Sequence, residues 1–168
     1  MFDLKPLARE SIPEALKKAE RYRFLNEPLE AESICRDILD VEPGNQETIV
    51  LLLLSLTDQF SWGKASSPVD EARRLLGRLE SEYERAYYGG IICERQAKSL
   101  IREGRPRTEF RAYDWLTEAM ERYEKAERLR PPGNDDAILR WNTCVRILES
   151  HPNVRPEPEG EREAAMLE

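Results

Sequence analysis

The sequence predicts an all-helical protein built from paired helices stacked side by side. Apolar residues recur at three- and four-residue spacing through residues 11–149, the period of a helix with one buried face. Short clusters of Pro, Gly, Asn and Ser cut that stretch into segments of helical length, none with a proline in its interior. No segment alternates β-branched with polar residues, so nothing marks a sheet. With 168 residues there is room for one domain or one short repeat array.

Each element has a start or stop signal. Ser11-Ile12-Pro13-Glu14 reads as a capping box, in which the Ser hydroxyl accepts a first-turn N–H and the Glu returns the bond. Asn26-Glu27-Pro28 and Glu42-Pro43-Gly44-Asn45 break the chain. Ser67-Pro68 starts a helix again, with proline where its missing N–H costs nothing. Gly104-Arg105-Pro106 and Pro131-Pro132-Gly133-Asn134 mark two further boundaries. Seven helices follow, near 12–25, 29–41, 46–59, 68–81, 83–103, 108–129 and 135–149. Residues 1–10 form an N-terminal extension, 11–150 the helical array, and 151–168 a tail. The tail, HPNVRPEPEGEREAAMLE, is too polar to offset the entropy of ordering it, which predicts disorder.

Self-similarity specifies the architecture further. Ala31, Cys35, Ile38 and Pro43 share their spacing with Ala119, Tyr123, Ala126 and Pro131. Ala72, Leu76 and Leu79 repeat the first three, with Glu84 in place of the proline. Ahead of Ala31 stand Ala15, Ala19 and Tyr22 on successive turns. This pattern resembles the tetratricopeptide repeat, a helix–turn–helix unit of about 34 residues. The resemblance implies an α–α superhelix (a solenoid) of about three helix pairs closed by a capping helix over 135–149. Small alanines let paired helices approach, a bulky residue fills the gap between units, and proline ends the second helix. Intervals of 41 residues from Ala31 to Ala72 and 47 from Ala72 to Ala119 exceed the unit length. They imply insertions in the loop 57–67 and around Gly104. Gly89-Gly90 falls mid-helix, where each glycine costs about 0.8–1.0 kcal/mol relative to Ala. In the family, a small residue here lets the two helices of a unit close up.

Composition excludes whole classes of function. The net charge of -7 opposes sequence-independent nucleic-acid binding. The longest apolar run, Ile49–Leu54, is far short of the roughly 20 residues that span a bilayer. The N-terminus has no apolar core of a secretory signal. Three unpatterned cysteines, Cys35, Cys93 and Cys144, suit a reduced cytoplasm and read as small buried hydrophobes. The single histidine, His151, removes triads and His-rich metal sites. Gly63-Lys64 has neither the second glycine nor the Ser or Thr that a phosphate loop needs, since Asp58 and Ala65 stand there. Asp135-Asp136 sits at a helix start, where acids favour free N–H groups. The Glu and Arg/Lys alternation over 118–128 is a solvent face. No catalytic residue, cofactor or metal site is therefore expected; a helical enzyme or an enzyme accessory subunit is the reading these features oppose.

What remains is an interaction surface. In tetratricopeptide arrays, the first helix of each unit lines a concave groove. The resemblance places Leu16, Glu20 and Phe24 on that groove from the first unit, and Val50, Leu54 and Asp58 from the second. Tyr87, Ile91 and Arg95 follow from the third, and Leu139, Thr143 and Arg146 from the cap helix. Leu16 and Glu20 replace the Lys and Asn with which chaperone-binding members hold a chain-end carboxylate, so that ligand is not expected. The middle stretch 64–111 is the only net-basic part, with 11 basic against 8 acidic residues. Arg95, Lys98 and Arg102 share a helix face there, as a solvated face or as an attractor of an acidic peptide. The expectation is a cytoplasmic, non-enzymatic adaptor or scaffold that binds a peptide or amphipathic helix of a protein partner. Self-association into a homodimer is the alternative.

Overall fold

The structure, a computed structural model, describes residues 2–62 and 68–158. Within them lie seven α-helices and no strand: α1 (Ile12–Phe24), α2 (Pro28–Val41), α3 (Gln46–Asp58), α4 (Pro68–Leu76), α5 (Glu82–Glu103), α6 (Thr108–Leu129) and α7 (Asp136–Ser150). Short 3-10 turns precede α1 (Arg9–Ser11) and follow α3 (Phe60–Trp62). Among the described residues no helix is long and apolar enough to cross a membrane.

Most boundaries follow from local chemistry. Asn45 caps α3, its side chain accepting from the Thr48 N–H at 2.9 Å. Ser81 does the same for α5 through the Glu84 N–H at 3.2 Å. Gly104 ends α5 with φ of 61°, a left-handed conformation that glycine adopts without a Cβ penalty. Two expected features differ. Ser11 makes no side-chain cap bond and lies in helical conformation, because the preceding 3-10 turn already carries the chain into α1. The fourth helix stops at Leu76 rather than near 81: Gly77, Arg78 and Leu79 form tight turns back to Arg74, Leu75 and Leu76. That turn drives Leu79 into the core, where it is 2% exposed. The Ser67 cap and the Gly63-Lys64 pair lie outside the described residues.

Consecutive helices pack on one another along the whole chain. The odd-numbered helices also touch each other, α1 against α3 and α3 against α5. Two cores result. The first gathers Leu16, Ala19, Ala31, Cys35, Ile38, Leu52, Leu53 and Ala72. The second gathers Ala86, Cys93, Ala97, Leu116, Ala119, Tyr123 and Cys144. Leu54, Tyr88 and Trp115 touch both, so the array is continuous. The alanines matched by repeat spacing, Ala31, Ala72 and Ala119, are all fully buried. All three cysteines are buried and unpaired.

The α5–α6 hairpin is the longest seam, each helix running 22 residues against 13 and 14 for α1 and α2. Gly90 makes the close approach possible: a Cβ there would meet the ring of Tyr123, 2.7 Å from Cδ1 and 2.9 Å from Cζ. The start of the expected tail also packs. Val154 is 5% exposed within the second core, and Glu157 pairs with Arg107 at the α5–α6 turn. Composition alone misses this, because one apolar side chain anchors an otherwise polar stretch. Residues 159–168 lie outside the described residues.

Candidate functional site

An ion ladder joins three of the odd helices, α1, α3 and α5. Arg23 of α1 donates from Nε to Oδ2 of Asp58 on α3 at 2.6 Å, and Arg95 of α5 donates from Nη1 to Oδ1 of the same carboxylate. Asp58 lies in the last turn of α3, where the helix dipole disfavours an acid. Two guanidinium groups, themselves only about a quarter exposed, offset that cost. The intervals of 35 and 37 residues join side chains of successive odd helices, α1, α3 and α5.

Next to the ladder stands a buried carboxylate. Glu94 is 0% exposed and accepts from the Tyr123 hydroxyl at 2.7 Å, from Lys98 one turn on, and from Arg140 of α7 at 3.4 Å. A buried charge persists only when paired and hydrogen-bonded, and these three donors meet that demand. Burial works to lower the Arg140 pKa, but Glu94 and the Tyr87 hydroxyl carry it above its ordinary value. Burial and the Glu94 charge together push the Tyr123 phenol far up. Tyr83, Tyr87, Tyr88 and Tyr123 form one aromatic cluster behind the pair, with centroids 5.2–6.1 Å apart.

Between ladder and buried acid opens a cleft of about 490 Å³, lined by Asn26, Asp58, Trp62, Arg95, Lys98, Ser99, Arg102 and Arg140, among others. Its walls come from the end of α3, from α5 and α7, and from the turns that follow α1 and α3. Phe60, Trp62, Ser99 and Arg102 also line an adjoining cleft that reaches Gln96 and Arg105. The charge is unbalanced. Asp58 is shared by two cations and Glu94 by two more. Arg102 has no carboxylate partner among the described residues. The cleft therefore carries a surplus of positive charge in a protein whose total is -7.

The structure distributes the expected groove residues unevenly. Asp58 and Arg95 touch and face the cleft. Leu16 and Ile91 are buried in the two cores, 8% and 3% exposed, and leave no face for a ligand. Val50, Leu54 and Tyr87 are half-buried and pack against core residues, so the apolar middle expected of the groove is filled by the protein itself. Glu20, Phe24, Leu139 and Arg146 are exposed and Thr143 half-buried, none of them lining the cleft. The helical period explains the pattern. Residues four apart drift by about 40° around the axis, so in α3 and α5 the stripe of i, i+4 and i+8 turns from packed residues at its start to the cleft at Asp58 and Arg95. Arg23 and Arg140, each one position from an expected residue, fall outside the expected set. For Arg23 the signal is the recurrence of charge at intervals near the repeat length, from Arg23 to Asp58 to Arg95.

Comparison of the chain with protein-family models, with curated proteins and with solved structures finds no match.

Proposed function

We propose that this protein is a non-enzymatic interaction module of the tetratricopeptide type, binding a peptide or helix of a protein partner on the face its odd helices share. The observation that carries this reading is the cleft, which draws side chains from α3, α5 and α7 and from the turn after α1. A helical array with the second helices of its pairs turned away from that face would leave such a surface for a ligand. Unpaired buried thiols favour a reducing, cytoplasmic setting. Catalysis is not part of this reading: Asp58 and the buried Glu94 are each engaged by two cations. The test is affinity capture of cell proteins by the wild type and by Arg102→Glu. A partner captured by the first and lost from the second supports the module. Capture that is indifferent to the cleft refutes it.

A second reading, self-association, is favoured by a different feature. Phe24, Leu25 and Leu29 at the α1–α2 turn are 87%, 58% and 47% exposed, an apolar cluster of the kind that marks contact surfaces. Light scattering after size exclusion distinguishes the readings: a dimer at micromolar concentration that Phe24→Glu turns into monomer supports self-association, and a monomer throughout removes it.

A further inference from the structure

We infer that the cleft between α3, α5 and α7 takes an internal acidic segment of a protein, read through several side-chain carboxylates rather than through a chain end. The inference rests on the interaction-module reading above and names the chemistry of its ligand.

Cations of the cleft already hold carboxylates of this chain. Asp58, in the cleft wall, pairs with Arg23 and Arg95, and Glu94, fully buried behind the wall, pairs with Lys98 and Arg140. Sharing one acid between two bases leaves each cluster with net positive charge, and Arg102 adds a third uncompensated cation. Such a half-buried surplus is costly on its own, because charge repels like charge more strongly where water is partly excluded. An incoming anion removes that cost, and charge-assisted bonds to guanidinium are among the stronger contacts available.

Shape selects among anions. Arg95, Lys98 and Arg102 lie at i, i+3 and i+7 on α5, a line about 10 Å long at 1.5 Å per residue. A single phosphate would address one point of that line. Carboxylates at i, i+3 and i+7 of a partner helix repeat its spacing and span its whole length. Nucleic acid is disfavoured because the remaining surface is acidic, the total charge being -7. The rim adds a second element: Trp62, 44% exposed, offers a flat apolar platform beside Arg102 for one apolar residue of the ligand. Asn26 and Gln96 supply amides for its backbone.

The experiment uses the full chain and a fluorescein-labelled, C-terminally amidated dodecapeptide with Glu at i, i+3 and i+7 and one Leu-Phe pair, read by anisotropy at about 0.15 M salt. Saturable micromolar binding is expected. Replacing each Glu by Gln should weaken it at least about tenfold, and Arg102→Glu at least about fivefold, since a rim charge is both lost and reversed. Arg128→Glu makes the same change of net charge at the far end of the α5–α6 hairpin and should leave affinity within about twofold. Arg102 is exposed and pairs with no group among the described residues, so its variant folds as the wild type does.

Equal affinity for the Glu and Gln peptides, or equal effects of the two Arg variants, overturns the inference. So does a peptide that binds only with a free C-terminal carboxylate, or displacement by inorganic phosphate or a thymidine oligonucleotide at lower concentration than by unlabelled peptide. Absence of saturable binding also overturns it. In every one of these cases, cleft-dependent capture of a neutral or basic partner would leave the interaction module standing with a different ligand.

Discussion

Replacing two adjacent glycines by alanine should give opposite results, because their surroundings differ. In an exposed helix interior, Gly→Ala gains about 0.8–1.0 kcal/mol. At Gly89 the new methyl would sit 2.6 Å from Nη1 of Arg122, the far end of a side chain that can swing aside. Its displacement would cost the Arg122–Glu118 pair at 2.8 Å, worth about 0.3–0.5 kcal/mol on a helix surface. Gly89→Ala is therefore neutral or slightly stabilising. At Gly90 the methyl would run into the ring of Tyr123, which is fully buried and tied to Glu94 at its hydroxyl. Overpacking costs about 1–3 kcal/mol, and a ring forced aside loosens the bond to a buried carboxylate, a further cost of about 1–3 kcal/mol. After the propensity gain, the net destabilisation is about 3 kcal/mol, which for a chain of this size lowers Tm by about 6–12 °C. Urea titrations followed by circular dichroism at the helical band would measure both. A Gly90→Ala protein as stable as wild type would show that α5 and α6 do not meet at this distance. A double-mutant cycle with Tyr123→Ala checks the cause, since the penalty at Gly90 should largely vanish once the ring is gone.

Three further outcomes follow from the packing. Tyr123→Phe removes one donor from Glu94 and should destabilise by about 1–3 kcal/mol in the same titration, with the helical spectrum retained. Burial pushes the thiols of Cys35, Cys93 and Cys144 up to about 12, so Ellman's reagent at pH 8 should modify none in the native protein and all three in urea. Because the folded state holds these protons more tightly than the unfolded chain, whose thiols titrate near 8.5, this contribution to stability is complete below about pH 8.5. It is lost as pH rises from there toward about 12; a Tm unchanged between pH 8 and pH 10.5 would refute it. Truncation after Ser150 should cost about 1.5–3 kcal/mol, the value of burying Val154, as read by thermal melting.

Local rules make the helices legible, and their limits follow from the same rules. Capping residues, prolines and three-to-four spacing act within a few positions, so they place all seven helices to within a few residues, apart from the end of α4. There Leu79 satisfies the helical period yet reaches the core from a turn, because Gly77 lets the chain tighten. Buried alanines at repeat spacing are legible too, since close helix contact leaves no room for a larger side chain. Val154 is not, because its burial depends on the surface that α5 and α6 present to it and not on its neighbours in sequence.

The cleft is the least legible part, for a reason rooted in helix geometry. Each residue advances about 100° around the axis, so a groove stripe displaced by one position exchanges one face for another. The repeat register puts Phe24 and Leu139 on the groove, but Arg140 lines the cleft and Arg23 pairs with its Asp58. That slip turns the expected apolar surface into a cationic one. In α3 and α5 the drift of the helical period brings the last residue of the stripe, Asp58 and Arg95, round to the cleft, whereas Phe24 at the end of the α1 stripe does not line it. Ion pairs between segments 35 and 37 residues apart have no local signature, yet they recur near the spacing of the repeat. Charge followed at the repeat interval, and not only along one helix, is the feature of the chain that connects Arg23, Asp58 and Arg95.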